Sequence, residues 1–189
     1  ENCVGPGDHF GAELATQHLV DLGHRRIGYI NGMQDWIESE NRLAGYRDVL
    51  SRNGIPMDEA LVRQGDWGVE SGFQAARDLL ALAERPTAIF AANDIMALGA
   101  IYAIQEAGLR IPGDVAVVGY DDRDFAEWIR PALTTVRMPS FEMGLAAARL
   151  LLQQLTGEQP EDATQVPGKL IIRDSCGAKI RVVQGGTPK

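Results

Sequence analysis

The chain has 189 residues, a net charge of −8, 45% apolar and 23% charged residues, the balance of an ordinary globular protein of about one domain. No apolar run approaches the ~20 residues of a membrane span, and the start, Glu1-Asn2-Cys3-Val4, lacks the basic-then-apolar pattern of a secretory signal. The acidic balance argues against direct DNA binding by this stretch, because nucleic-acid affinity rests on counterion release by Lys and Arg.

In chain order, Phe10–Leu22 carries Leu14, His18 and Leu22 at helical spacing, closed by Gly23. Arg26–Ile30 reads as a strand. Glu40–Arg52 is a helix with Leu43, Tyr46 and Leu50 on one stripe, ended by Asn53-Gly54 and Pro56. Leu61–Gln64 is a strand before the turn Gly65-Asp66-Trp67-Gly68, and Phe73, Ala76 and Leu80 mark the next helix face. Thr87–Ala91 and Val115–Gly119 are buried strands, joined by a helix bearing Ile95, Leu98, Ile101 and Tyr102 that Asp94 is placed to cap. Phe125 to Trp128 is a short aromatic segment, followed by the strand Leu133–Val136. Ser140 can cap a last long helix with Leu145, Ala148, Leu151, Leu152 and Leu155, and Gly157 ends it. Lys169–Arg173 is a final strand before a frayed tail. Helix and strand alternate throughout, which predicts an α/β fold whose parallel sheet is sandwiched by helices.

Cys3 and Cys176 have no metal-ligand spacing and read as free thiols of a reducing compartment, with a disulfide as the alternative. His9, His18 and His24 are not arranged as ligands of one site, so they are read as structural and no metal or cofactor is expected. No nucleophile elbow, Walker loop or dinucleotide fingerprint is present, which argues against an enzyme.

The polar ends of two strands are the informative part. In open parallel sheets, ligands bind outside the carboxyl ends of the strands. Asn93 and Asp121 follow two such strands and offer an amide and a carboxylate, a pairing suited to sugar hydroxyls, which both donate and accept. Capping and turn closure would explain them as well, but Asp94 and Asp122 follow at once and can serve as caps, leaving Asn93 and Asp121 for the crevice. Arg42 sits near a helix start, against the helix dipole. Its guanidinium fork suits vicinal hydroxyls or a carboxylate, and a surface pair with Glu38 or Glu40 is the plainer reading. Trp67 is either a packed loop aromatic or a platform for the C–H face of a sugar ring. Asp121 and Asp122 project apart if extended, a poor acid–base dyad.

Five ordered motifs then carry a resemblance: Leu19-Val-Asp-Leu-Gly-His-Arg-Arg-Ile-Gly28, Arg42-Leu-Ala-Gly-Tyr46, Arg63-Gln-Gly-Asp-Trp67, Arg85–Asp122, and Pro131-Ala-Leu-Thr-Thr-Val-Arg137. Together they resemble the effector-binding region of lactose/galactose-repressor family transcription regulators over about Val4 to Ser175. Gly65-Asp66-Trp67 and Ser71-Gly72-Phe73-Gln74 bring the likeness nearest to the lactose-repressor branch.

The resemblance implies a periplasmic-binding-protein-like (type I) fold of two lobes with the ligand between them. Residues 1–136 would be the C-terminal lobe. Residues 137–189 would hold the crossover helix of the N-terminal lobe with a return strand and tail. The DNA-binding head and the first half of the N-terminal lobe would lie outside this chain, which reads as a fragment, and the Ser140–Leu155 helix would expose an apolar face. By motif position Arg42, Trp67, Asn93 and Asp121 match sugar contacts, and Trp36, Glu38 and Met138 match pocket-lining positions. Met138 stands where the lactose repressor has a polar residue, which leaves the sugar open.

Leu98, Tyr102, Trp128 and Ile129 fall where the family dimerises. The resemblance implies a cytoplasmic, non-enzymatic repressor module that senses a sugar-like effector, forms a homodimer and reaches DNA only through the separate head. A transport-system sugar-binding protein of the same fold is the alternative.

Overall fold

The computed structural model of the chain describes residues 4–157 and 164–178. Its elements are β1 (Val4–Gly5), α1 (Asp8–Asp21), β2 (Ile27–Asn31), α2 (Ile37–Arg52), β3 (Val62–Gln64), α3 (Val69–Leu80), β4 (Ala88–Ala91), α4 (Asp94–Glu106), β5 (Ala116–Asp121), β6 (Thr134–Arg137), α5 (Ser140–Thr156), β7 (Thr164–Gln165) and β8 (Lys169–Ile171). The main sheet runs β3-β2-β4-β5-β6-β8, all parallel except β8, which pairs antiparallel with β6. β1 and β7 form a separate two-stranded parallel sheet.

The chain steps outward from β2 to β3, then back across β2 to β4 and on to β5. Right-handed crossovers therefore put α2 and α3 on opposite faces. α1 packs with α2 and α3 with α4, so the sheet is sandwiched as the alternation predicts. β2 and β4 are buried along their whole length, and β5 up to its last residue. This is why they read as unbroken apolar runs. Between the sheet and α2, Tyr29 stacks on Tyr46 with centroids 4.9 Å apart and meets Phe90 edge-on at 5.3 Å. The buried Tyr46 hydroxyl donates to the Ile27 carbonyl at 2.8 Å, so the ring is buried with its polar end satisfied.

Element boundaries shift by a few residues from the sequence reading, most at α2, which begins at Ile37. Ser140 is not the cap of α5. Its own backbone is already helical, its amide donates to the Met138 carbonyl at 2.9 Å, and Pro139 holds the cap position without a side-chain bond. α5 has no buried residue, and Phe141, Leu151, Leu152 and Leu155 are exposed. The apolar face predicted for it is thus bare, and its main contact is with β1.

Cys176 is a buried free thiol, with His18 Nε2 3.2 Å from its sulfur. Cys3 and the tail after residue 178 lie outside the described residues. Among the described residues no helix is long and apolar enough to cross a membrane.

Candidate functional site

The sheet order reverses between β2 and β4, and a crevice opens there beyond the carboxyl ends of the strands. A cavity of about 230 Å³ lies in it, lined by Trp36, Glu38, Arg42, Trp67, Asn93 and Asp121. They come from four successive strand exits: Trp36, Glu38 and Arg42 after β2, Trp67 after β3, Asn93 after β4, and Asp121 at the end of β5. Six of the seven ligand positions read from the sequence therefore meet in one place. Met138 does not join them. It lines a larger hollow of about 450 Å³ with Arg137, Pro139, Phe141 and Pro167, where β6 hands over to α5.

Arg42 is the anchor, and it is only 4% exposed. Its Nε donates to Asp8 Oδ1 at 2.7 Å, and its Nη1 donates to the Ala92 carbonyl. Its guanidinium carbon lies 3.7 Å over the Tyr120 ring and 5.5 Å from that of Trp67. The surface pair with Glu38 or Glu40 is corrected by this geometry. Arg42 is the sixth residue of α2 and points inward, where an unpaired cation would be costly, so it takes the acid that opens α1. Asp8 and Tyr120 escaped the sequence reading. The partners of Arg42 lie 34 and 78 positions away in the chain, and no local spacing announces them.

Asp121 Oδ1 sits 3.9 Å from Arg42 Nη1. Burial pushes its carboxyl up to about 6, against the opposing pull of Arg42 and Arg123. Asp121 and Asp122 both have positive φ, 117° and 58°. This turn, unusual for side-chain-bearing residues, swings the two carboxylates apart. Asp122 is not a cap. Its oxygens accept from Arg137 Nε at 2.6 Å and Arg173 Nη2 at 2.7 Å.

The expected division of labour between Asn93 and Asp94 does not hold, since Asn93 both caps α4 and lines the cavity and Asp94 does neither. Asn93 is extended and its Oδ1 accepts from Met96 N at 2.8 Å, so it is the cap of α4. Its Nδ2 donates to the Trp67 carbonyl at 3.1 Å, fixing the turn that carries the indole. Asn93 thus lines the cavity while supporting Trp67. Asp94, already the first helical residue, is fully buried and turns toward β6.

Trp67 has φ 71°, and its ring lies over Gly32, where an added Cβ would collide with the indole. Its Nε1 is buried without a hydrogen-bond partner among the described residues. Trp36 stands at the mouth, about half exposed, its ring centroid 6.1 Å from that of Trp67 and tilted by 51°. The cavity therefore offers two aromatic side chains, a cation and acids. That chemistry suits a polyhydroxylated ring.

Away from the crevice, His9, Glu13 and Asp48 gather on the α1–α2 surface. The two acids address opposite nitrogens of the ring, Asp48 at Nε2 and Glu13 at Nδ1, and Arg52 already pairs with Glu13 at 2.8 Å. This set suits ion pairing better than a shared metal ion.

Comparison with known proteins shows the family. The family described as "Periplasmic binding protein-like domain" matches residues 16–176. The chain is similar to the HTH-type transcriptional regulator CelR of Thermobifida fusca, 45% identical over 166 residues, which is 87% of this chain and 49% of that protein. A solved CelR–cellobiose complex superposes with a TM-score of 0.86 at 43% identity, covering 92% of this chain and 54% of that one. The lac repressor dimer bound to operator and the anti-inducer ONPF gives 0.86 at 37% identity, covering 91% and 59%. The chain spans about half the length of the curated relatives it matches.

Proposed function

We propose, from a chain that belongs to the periplasmic-binding-protein-like effector-binding domains of LacI-family regulators, that it is the sugar-sensing part of a DNA-binding repressor. The observation that carries the proposal is the convergence of Trp36, Glu38, Arg42, Trp67, Asn93 and Asp121 on one cavity. Arg42 and Asp121 would bond ring hydroxyls, and the two tryptophans would cover the C–H faces of the sugar. Residues 1–136 are read as the C-terminal lobe, and residues 137–189 as the crossover helix of the N-terminal lobe with a return strand and tail. The return strand, β8, pairs with β6 in the main sheet. Met138, near the junction, would then face the ligand from the second lobe's side.

Sugar held between the lobes would change operator affinity through a DNA-binding head outside this chain. Leu98, Tyr102, Trp128 and Ile129 are read as the homodimer surface. The same reading gives a cytoplasmic, non-catalytic protein. The regulators among its relatives favour it over a transport-system binding protein.

For the ligand class, the Gly65-Asp66-Trp67 turn is the argument for the lactose-repressor branch, and the similarity to the CelR–cellobiose complex is the argument for a glucose disaccharide. Two tryptophan rings 6.1 Å apart suit two linked sugar rings better than one. The test is calorimetric titration of the full-length protein with cellobiose, lactose, glucose and ribose, alongside operator binding. Saturable binding of a disaccharide that shifts operator affinity is the expected result. Binding of none of the four, with the protein folded, would count against the sugar reading.

A further inference from the structure

The fully buried acid that the cavity does not use is Asp94. Among the described residues it forms no ion pair, and burial pushes its carboxyl up to about 7. An isolated buried carboxylate is costly unless its hydrogen bonds are complete, and here both oxygens are occupied. Oδ1 accepts from Thr135 Oγ1 on β6 at 2.6 Å, and Oδ2 accepts from the backbone amide of Arg123 at 2.8 Å. Thr135 Oγ1 in turn lies 3.3 Å from the amide of Asp122, which donates to it. Gly119 makes the room, since a Cβ there would collide with Asp94 Oδ1.

These bonds converge on the backbone just after Asp121, at the two successive positive-φ residues. Side-chain-bearing residues hold such conformations only where their surroundings over-determine them. We infer that Asp94 is a positioning residue of the site: it clamps the Asp121-Asp122-Arg123 turn through Arg123 N and Thr135, and so holds the Asp121 carboxylate toward Arg42. Its own side chain never meets the guest. The inference deepens the sugar-site reading, on which only its affinity measurement depends.

The test uses hydrogen exchange of peptides covering Gly119–Phe125 in the full-length protein, with cellobiose titration beside it. Asp94→Ala removes both acceptors and is expected to speed exchange in that turn about tenfold or more, with β2 and β4 unchanged, and to weaken cellobiose binding about tenfold. Thr135→Val removes only the Oδ1 branch and is expected to loosen the turn less, which keeps the inference open to test if the alanine variant does not fold. Asp94→Asn can accept from Arg123 N and donate to Thr135 Oγ1, so it is expected to restore both protection and affinity. An unchanged turn in Asp94→Ala, or exchange raised equally across the whole sheet, overturns the positioning role. Absence of cellobiose binding by the unsubstituted protein would count against the ligand class alone, because the exchange measurement needs no ligand.

Discussion

Arg42 and Asp8 form a buried ion pair, 2.7 Å between Nε and Oδ1, with both side chains about 5% exposed. It joins the second turn of α2 to the first residue of α1 behind the cavity. The acid therefore holds the guanidinium still from the protein side, while the other face of the group remains for a guest. Breaking a buried pair by removing one partner strands a charge, at about 3–5 kcal/mol. Asp8→Ala is expected to lower unfolding free energy by that order in urea denaturation. The Asp8→Ala/Arg42→Ala double variant is expected to lose less than the two single losses added together. Additive losses would mean that the pair contributes no coupling.

Arg42→Lys is expected to fold but to bind sugar at least about tenfold more weakly. An ammonium cannot bridge Asp8, the Ala92 carbonyl and the cavity with one planar fork. Arg42→Ala should abolish the response. Calorimetry giving the affinity of the unsubstituted protein for either variant would remove Arg42 from the site.

The acid at the end of β5 gives a pH signature. Burial raises Asp121 to about 6, so its carboxylate is charged above that value and protonated below it. Sugar affinity is expected to fall as pH drops from 7 to 5, since a neutral acid accepts more weakly. Asp121→Asn should bind about tenfold more weakly at pH 7.5 and show a flatter profile. Equal pH dependence in the two proteins would assign the titration elsewhere.

Asp94 gives a stability signature of defined sign. Its folded value, about 7, lies above its unfolded value near 4. Its contribution is therefore fully present below pH 4 and is lost as pH rises through 7. Asp94→Asn cannot titrate. Its unfolding free energy relative to the unsubstituted protein is expected to improve by about 3 kcal/mol between pH 4.5 and pH 8. A constant difference across that range would show that Asp94 does not titrate there.

Tyr102 is half exposed and Trp128 is 74% exposed, while Leu98 and Ile129 are half-buried. Exposed tryptophan is a frequent anchor of protein interfaces. In sedimentation of the full-length protein, Leu98→Asp and Trp128→Asp are each expected to shift a symmetric dimer toward monomer. A dimer unchanged by both substitutions must be held elsewhere, with the bare face of α5 the next surface to test.

The strands were legible because β2, β4 and β5 are buried on both faces and must be apolar throughout. The site was legible because a doubly wound sheet gathers polar groups at strand ends, where Asn93 and Asp121 follow apolar runs directly. What the sequence hid is pairing at long range. Nothing near Arg42 announces Asp8. The order Asn93-Asp94 does not say which side chain caps α4, because either could fold back on the helix, and the partners that draw Asp94 away, Thr135 and Arg123, lie far along the chain. The reversed direction of β8 was hidden for the same reason, since it depends on where the chain returns.

Gly32, just past β2, supports the indole of Trp67 with no space left for a methyl group. Any larger residue there must displace the ring and so change the volume open to a guest. The shape of the recess is set one layer beneath its visible wall. A single buried change could redraw selectivity while every group that touches the guest kept its identity, so a survey of contacting residues alone would misjudge which relatives share a ligand.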